Sequence, residues 1–382
     1  MNEPTITRRR LAGFAAAAAF TAALPLQASA SSPAFSFTDL AGRSVTLSKK
    51  PERFIVANYI ANFMMVGGAQ SVKHIVGLTM DGWEATRYGE YSLFMKAFPQ
   101  LAKAESIGGY HDNILNSEKI LALKPDVLLI GLAQYADNSQ RIEIFERAGI
   151  RVVVLDYHAM KTENHVKSTQ ILGALLGRET TAAAQCRRYE SVLSDIHSRI
   201  AALTEGEKHR RVYVECGNRG VGEYGNSYNS TILWGGILKN LAAENIAGSM
   251  KQPYGALDRE FVVASNPQTV IIAGSIWQNG TEGDQMRMGL TVTEAEAQKR
   301  LAGFAARPLW QGLDAVRTGE VYAVDHGSLR CMADYTFSMY LAKVLYPKTF
   351  ADFDPQAEMT RFYGDYLPEL QASGTFFLKL AR

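Results

Sequence analysis

The chain has 382 residues, of which 47% are hydrophobic and 20% are charged, and its formal net charge is +2. This length favours two domains, and this composition is ordinary for a globular protein with full hydrophobic cores. The near balance of acidic and basic residues excludes the strong overall field that draws a protein to nucleic acids or anionic membranes. Neither is therefore an expected partner.

The first 30 residues have the pattern of an export signal. Three arginines at positions 8–10 precede an apolar run over 11–26, and small residues lead up to Ala30. The run is shorter than the roughly 20 residues that span a bilayer, which favours a signal cleaved after Ala30 over a membrane anchor. The arginines resemble the twin-arginine export signature, although a general secretion signal can also carry them. No later apolar stretch is as long, so we predict a soluble, periplasmic protein.

Residues 31–165 are predicted to form an α/β lobe. Alternating residues on either side of Gly42 predict a β-hairpin. Short, continuously apolar strands then alternate with helices, which predicts a parallel sheet covered on both faces. The predicted strands are 53–57, 74–78, 126–130 and 151–155, and the predicted helices are 60–70, 117–123 and 139–148.

Residues 166–205 are predicted to connect this lobe to a second one at 206–382. Long helical patterns cover 163–176 and 179–203, where strand signals are almost absent. Alternation then returns and predicts a second α/β lobe. Its predicted strands are 211–215, 269–273 and 320–324, and its predicted helices are 231–244, 258–264, 309–316, 334–346 and 355–371.

One sequence pattern occurs in both halves. Residues 117–130 read SEKILALKPDVLLI, and residues 259–272 read REFVVASNPQTVII. In each copy a glutamate, Glu118 or Glu260, opens a short helix that ends before a proline and leads into an apolar strand. Two copies are too few for a solenoid and fit two lobes of like topology.

Several stretches carry a resemblance to a known family. They are residues 37–47 (FTDLAGRSVTL) with 51–53 (PER), 124–127 (KPDV), 173–177 (GALLG) and 309–323 (LWQGLDAVRTGEVYA). In these stretches the chain resembles the helix-linked periplasmic substrate-binding proteins of ABC importers, the group that handles ferric siderophores, haem and cobalamin. The resemblance implies two lobes joined by one long rigid helix, a ligand in the cleft between them, and an importer permease as partner. The chain itself is expected to be a monomer.

The resemblance also implies a docking role for Glu118 and Glu260. In this family an acidic residue at the start of this helix docks onto arginines of the membrane permease. A carboxylate at a helix N-terminus is also stabilised by the helix dipole, by about 0.3–1 kcal/mol, without any partner. The second explanation remains open at this point.

The expected cleft lies at the carboxyl ends of the strands, where open α/β sheets bind ligands. Loops at those ends are rich in aromatic residues and arginine. Aromatic rings offer flat apolar faces to a conjugated ligand, and arginine pairs with anionic oxygens, so we predict a bulky anionic chelate such as a ferric siderophore. The candidate ligand-binding residues are Tyr59, Trp83, Arg87, Tyr110, Tyr135, Arg219, Tyr224, Tyr228, Trp277 and Arg330.

Other ligands and other functions stay open from the sequence. Haem, cobalamin or an oxyanion such as molybdate are alternatives within the same family, and Tyr110–His111 or Tyr157–His158 would be candidate axial pairs for haem. A periplasmic iron-handling chaperone without an importer is an alternative outside it. The histidines form no metal-binding pattern, so we expect no metal site and no covalently bound cofactor.

Catalysis is not expected from this sequence. It contains no G-x-S-x-G elbow, no Walker loop and no G-x-G-x-x-G after a strand. The three cysteines are an odd number, so at least one thiol stays free. Buried free thiols are the default expectation, with a Cys216–Cys331 disulfide as the alternative.

Overall fold

The computed structural model describes residues 35–110, 113–280 and 282–382, so the predicted export signal lies outside the described residues. The strands are β1 Phe35–Thr38, β2 Ser44–Leu47, β3 Phe54–Val56, β4 Ile75–Leu78, β5 Glu105–Ser106, β6 Val127–Gly131, β7 Arg151–Leu155, β8 Arg211–Cys216, β9 Asn226–Tyr228, β10 Glu244–Asn245, β11 Tyr254–Ala256, β12 Thr269–Gly274, β13 Val321–Asp325 and β14 Phe377–Lys379. The helices are α1 Ile60–Gly67, α2 Trp83–Thr86, α3 Tyr88–Ala97, α4 Ser117–Leu123, α5 Leu132–Asp137, α6 Ser139–Arg147, α7 Thr162–Leu176, α8 Glu179–Ala201, α9 Leu233–Asn240, α10 Arg259–Ser265, α11 Glu294–Ala305, α12 Asp314–Thr318, α13 Tyr335–Leu345 and α14 Pro355–Tyr366.

The first lobe is built on a five-stranded sheet in the order β5-β4-β3-β6-β7. All of its strand pairs are parallel. Every residue of β3 and β6 is buried, as expected for apolar strands covered by helices on both faces. The hairpin of β1 and β2 is antiparallel, with Phe35 opposite Leu47, which confirms the prediction made around Gly42.

The second lobe is built on a sheet in the order β10-β8-β12-β13-β14. The pairs among β10, β8, β12 and β13 are parallel, whereas β14 runs antiparallel to β13. A small antiparallel pair of β9 and β11 lies outside this sheet. Two α/β lobes with parallel-rich sheets are therefore present, and the predicted fold class is confirmed.

Helices α7 and α8 connect the two sheets along the chain and pack against each other. Helix α8 has 23 residues, a length of about 35 Å at 1.5 Å per residue, and it also packs against α13 of the second half. A buried polar contact fixes this junction, because Asp334 faces His165 Nε2 at 3.1 Å and accepts the Tyr189 hydroxyl at 3.0 Å. These three side chains tie α7, α8 and the start of α13 together.

The repeated pattern occupies corresponding places in the two lobes. Helix α4 leads into β6, and α10 leads into β12. Each helix ends at a residue in the left-handed conformation, Lys124 with φ 46° and Asn266 with φ 41°. A proline follows each of these residues, and proline prevents the helix from continuing.

Some predicted elements differ from the structure. Residues 309–316 were predicted as one helix but form a short 3₁₀ turn and then α12, with Leu309 in the left-handed conformation at φ 70°. The last helix was predicted to reach residue 371 but ends at Tyr366, because Pro368 follows. Helices α2, α3 and α11 were not predicted.

The cysteines follow the default expectation. Cys186, Cys216 and Cys331 are all free and buried, so the alternative of a Cys216–Cys331 disulfide is wrong for this structure. Across the described residues, no helix has the length and apolar character needed to cross a membrane.

Candidate functional site

A cavity of about 880 Å³ lies between the two lobes. Nearly every parallel strand reaches it with the residues at its carboxyl end. From the first lobe these are Val56, Leu78, Gly131 and Asp156, and from the second lobe Cys216, Ser275 and Asp325. The cavity therefore occupies the place where open α/β sheets bind ligands.

Seven of the ten candidate residues line this cavity. They are Tyr59, Trp83, Arg87, Tyr110, Tyr228, Trp277 and Arg330. Both lobes contribute, and the walls combine aromatic rings with two guanidinium groups. The structure therefore brings these residues together, and their role in binding remains a proposal.

The other three candidates lie elsewhere. Arg219 is exposed, outside the lining of the cavity. Tyr135 on α5 packs under the Arg43 guanidinium, 4.7 Å from its ring centre, because the neighbouring Gln134 occupies the inward face of the helix and bonds to Ala57 O at 3.0 Å. The expectation that Arg219 and Tyr135 line the cleft is corrected.

Tyr224 belongs to the core of the second lobe. Its hydroxyl accepts a hydrogen bond from Trp310 Nε1, and its ring lies 4.6 Å from the Arg307 guanidinium. Arg307 in turn forms a bidentate ion pair with the buried Glu215, at 2.8 Å for both contacts. Tyr224 is thus a packing residue, and the expectation that it lines the cleft is corrected.

An aromatic pair forms part of the first-lobe wall. The rings of Trp83 and Tyr110 stack 5.6 Å apart and 8° from parallel. Both donate to Glu90 Oε2, the Tyr110 hydroxyl at 2.7 Å and Trp83 Nε1 at 3.4 Å. Burial raises the pKa of Tyr110, and the Glu90 carboxylate raises it further, so this phenol stays a hydrogen-bond donor at neutral pH.

Helix α3 bridges from the first lobe to the second. Gly89 N donates to Ile276 O at 3.1 Å, and the Arg87 guanidinium lies 4.8 Å from the Trp277 ring centre. A Cβ atom on Gly89 would meet Ile276 Cβ at 2.5 Å, so this close approach depends on glycine. Arg87 is held at the lobe boundary as a result.

The two cavity arginines differ from most buried cations. Arg87 is only 5% exposed, yet its Nη1 has no hydrogen-bond partner among the described residues. Arg330, with φ 69°, contacts His326, with Nη1 3.3 Å from the ring Nε2 and Nη2 3.3 Å from the carbonyl oxygen. Burial lowers the pKa of Arg330, and the nearby Arg87 lowers it further. Two cations for which no described carboxylate forms an ion pair favour an anionic occupant.

Tyr59 and His158 form a second polar contact in the wall. The Tyr59 hydroxyl lies 2.6 Å from His158 Nδ1. Burial, and next the Arg330 cation, lower the pKa of His158 to about 3, while burial raises the pKa of Tyr59. At neutral pH, Tyr59 therefore donates to a neutral imidazole. Tyr59 has φ 62°, a strained conformation of the kind that clusters at functional sites.

Sequence reasoning missed several residues that shape the cavity. Asn62 joins the lobes, because its Nδ2 donates to Arg330 O at 2.9 Å and its Oδ1 accepts from Met332 N at 3.1 Å. Glu90 was missed because α3 was not predicted, and its spacing of three from Arg87 was the available signal.

Of the proposed haem pairs, Tyr157 is fully buried and bonds to Thr169, and His111 lies outside the described residues.

Glu118 and Glu260 are exposed, each in the first turn of its helix. Asn116 caps α4 through Lys119 N at 3.0 Å, and Asp258 caps α10 through Glu260 N at 2.8 Å. Helix α4 ends beside the start of β3, where Arg53 Nη2 donates to Leu123 O at 2.6 Å, and α10 ends beside the start of β8, where Arg211 Nη2 donates to Asn266 O at 3.4 Å. Each helix therefore begins toward the carboxyl ends of the strands, on the cleft side of the sheet. Among the described residues no cluster of three or more His, Cys, Asp or Glu side chains is placed to hold a metal ion.

Residues 92–326 match the family of periplasmic binding proteins. The chain belongs to this family. A solved structure of the TroA-like periplasmic binding protein FepB from Veillonella parvula is 32% identical, covers 91% of this chain and 99% of its own, and superposes with a TM-score of 0.82.

Two curated relatives extend the comparison. An ABC transporter substrate-binding lipoprotein, YvrC, of Bacillus subtilis is 22% identical over 82% of this chain and 86% of its own length. A vitamin B12-binding protein of Pectobacterium atrosepticum is 27% identical over 46% of this chain. The match spans only 60% of that protein's length.

Proposed function

We propose that this chain captures a ferric siderophore in the cleft between its lobes and delivers it to the permease of an ABC importer. The observation that carries the proposal is the pair of guanidinium groups, Arg87 and Arg330, in a cavity walled by aromatic rings. Guanidinium groups pair with anionic oxygens, and the rings stack on a conjugated ligand. Capture is noncovalent, and the chain performs no chemistry on its cargo.

The size of the cavity supports a bulky ligand. Its volume of about 880 Å³ lies near the upper end of the roughly 300–1,000 Å³ of small-molecule sites. A small oxyanion would leave most of this space unfilled and would not use the aromatic walls. A molybdate-binding protein among the structural neighbours is 16% identical, so its likeness concerns the fold alone.

Iron is supported by one further comparison. An iron-uptake system-binding protein of Bacillus subtilis is 25% identical over 54% of this chain and 57% of its own length. Cobalamin is the second candidate, because vitamin B12-binding proteins are among the relatives. Haem remains a third, although of the candidate axial residues Tyr157 is bonded to Thr169 and His158 is bonded to the Tyr59 hydroxyl.

Titration of the purified protein tests capture. Tryptophan fluorescence is a suitable signal because Trp277 is half-buried in the cavity wall and lies over Arg87. We expect saturable quenching with ferric siderophores at micromolar concentration or below, and weaker or no response to haem, cobalamin and molybdate. Saturable quenching by cobalamin or haem alone would show that this compound, and not an iron chelate, is the ligand.

Delivery is tested by the two exposed glutamates. We expect Glu118→Arg with Glu260→Arg to abolish importer-dependent uptake while leaving ligand affinity unchanged, because both residues lie on the surface outside the cavity. Glu163→Arg with Glu294→Arg is a matched control, since these exposed glutamates also lie in the first turns of helices, one in each half of the chain. Normal importer-dependent uptake by the first variant would refute the docking role of Glu118 and Glu260, and so would a loss of ligand affinity.

A further inference from the structure

Arg87 and Glu90 carry opposite charges three residues apart at the start of α3, and both line the cavity. On a helix, residues at this spacing are neighbours, and opposite charges there usually attract each other. In this protein each of the two side chains is held by aromatic rings instead, and the rings belong to different lobes.

Arg87 is held by the second lobe. Its guanidinium lies 4.8 Å from the Trp277 ring centre, and the indole is fixed by Trp277 Nε1 donating to Met286 O at 2.8 Å. Cation–π contact stabilises the cation but uses none of its N–H groups. Nη1 keeps no hydrogen-bond partner among the described residues although Arg87 is buried.

Glu90 is held by the first lobe. Tyr110 and Trp83 both donate to its Oε2, and no donor within the described ranges hydrogen-bonds to its Oε1. The other cavity carboxylates are satisfied at both oxygens. Asp156 accepts from His158 N and Asn164 Nδ2, and Asp325 accepts from Gly327 N and Ser328 N.

We propose that Glu90 is a specificity-determining residue and that the ligand is dipolar. The ligand presents the oxygens of its ferric chelate to Arg87 and a charged ammonium group to Glu90 Oε1. Stacking on the Trp83–Tyr110 pair places that donor beside the carboxylate. This inference rests on the proposed function and narrows its ligand to ferric chelates that carry a pendant ammonium group.

A test in the free protein needs no ligand. Urea unfolding is measured for Arg87→Gln, Glu90→Gln and the double variant. We expect additive effects, because the rings hold the two charges apart. Asp195→Asn with Arg199→Gln is the control for a true pair, since these side chains lie four residues apart on α8 at 2.9 Å. The proposal would be overturned if the coupling free energy of Arg87 with Glu90 were as large as that of the control pair.

A test with ligands uses a matched pair of chelates. Ferrioxamine B carries a free terminal ammonium, and its N-acetylated form carries a neutral amide on the same ferric core. We expect the wild-type protein to bind the ammonium form about tenfold more tightly, because a hydrogen bond to a charged group is worth about 1.5–3 kcal/mol. Glu90→Gln should abolish this preference, and Glu84→Gln, an exposed residue on α2, should retain it.

The outcomes separate this inference from the proposed function. Equal binding of both chelates by the wild-type protein would overturn the role of Glu90 while leaving siderophore capture intact. If the protein binds neither of these chelates and no other ferric siderophore, the result would count against the proposed function. In that case the urea-unfolding comparison of the single and double variants alone decides whether the two charges are held apart. A coupling free energy between Arg87 and Glu90 in that comparison would overturn the inference.

Discussion

Arg307 and Arg87 both lie against aromatic rings, and their hydrogen bonds differ. Arg307 packs on Tyr224, Phe304 and Trp310, pairs with Glu215 through two contacts, and donates to three backbone carbonyls. Arg87 packs on Trp277 and keeps Nη1 without a partner among the described residues. The first arginine is satisfied within the fold, whereas the second keeps a buried N–H group that no described residue accepts.

This difference shows what arginine and aromatic content can and cannot indicate. The same residue types line a ligand cavity in one place and fill a lobe core in the other. Counting hydrogen bonds separates the two cases, because a buried cation that lacks partners is costly unless an anionic occupant compensates it.

The largest expected effect comes from breaking the satisfied cluster. Arg307→Met leaves Glu215 fully buried without its partner, so we expect the free energy of unfolding to fall by about 3–5 kcal/mol. Urea denaturation measures this. Replacing both residues, Arg307→Met with Glu215→Leu, should recover most of the loss. A loss below about 1 kcal/mol in the single variant would show that this cluster does not stabilise the lobe.

A smaller effect concerns a polar pair that lines the cavity and is nevertheless satisfied. Burial, and next the Arg330 cation, lower the pKa of His158 to about 3. Between the unfolded value of about 6.5 and this value, the unfolded chain binds a proton that the folded chain does not. Stability therefore falls as the pH falls, by about 1.4 kcal/mol per pH unit well below 6.5.

The variant His158→Asn removes this titration. We expect its unfolding free energy to depend less steeply on pH than that of the wild-type protein, by about 1.4 kcal/mol per unit between about pH 5.5 and 4. Urea unfolding at a series of pH values measures the slopes. Identical slopes would show that His158 takes up its proton as readily in the folded protein as in the unfolded chain.

The smallest expected effect comes from moving Arg87 without removing it. Gly89→Ala places a Cβ against Ile276, so α3 and the second lobe must separate slightly, at a cost of about 1–3 kcal/mol. We expect ligand affinity to fall by about tenfold and Ile276→Gly to restore it. Gly364→Ala is the control, because nothing lies within 4 Å of that added Cβ. Unchanged ligand affinity in Gly89→Ala would show that the contact between α3 and the second lobe does not affect binding.

Much of the fold could be predicted from the sequence. Strands such as β6 and β12 are continuous apolar runs, and the repeated helix–proline–strand pattern marks the same place in both lobes. Helix α3 was missed because its apolar residues show no clear helical period. Its position depends on Gly89 meeting Ile276 across the lobe boundary, and this contact is not local in the sequence.

The candidate site was harder to predict for the same reason. Loops at the strand ends pointed correctly to Arg87 and Trp277 as cavity residues, and the same reasoning wrongly placed Tyr224 and Arg219 in the cavity. Whether a tyrosine faces the cavity or a buried arginine depends on tertiary packing. That no described residue accepts a hydrogen bond from Arg87 Nη1 is likewise a property of the whole structure and leaves no local sequence signal.

The most direct test of the account compares the wild-type protein with the variants Arg87→Met and Arg259→Met. Each is titrated by fluorescence with the ferric siderophore that binds best, and the stability of each is measured by urea unfolding. Arg259 is the control, since it lies over an aromatic ring, Tyr224, outside the cavity. We predict that Arg87→Met lowers affinity by about 100-fold, the value of a strong charge-assisted contact, and leaves stability unchanged. Retained affinity with a loss of stability like that of Arg307→Met would contradict the account.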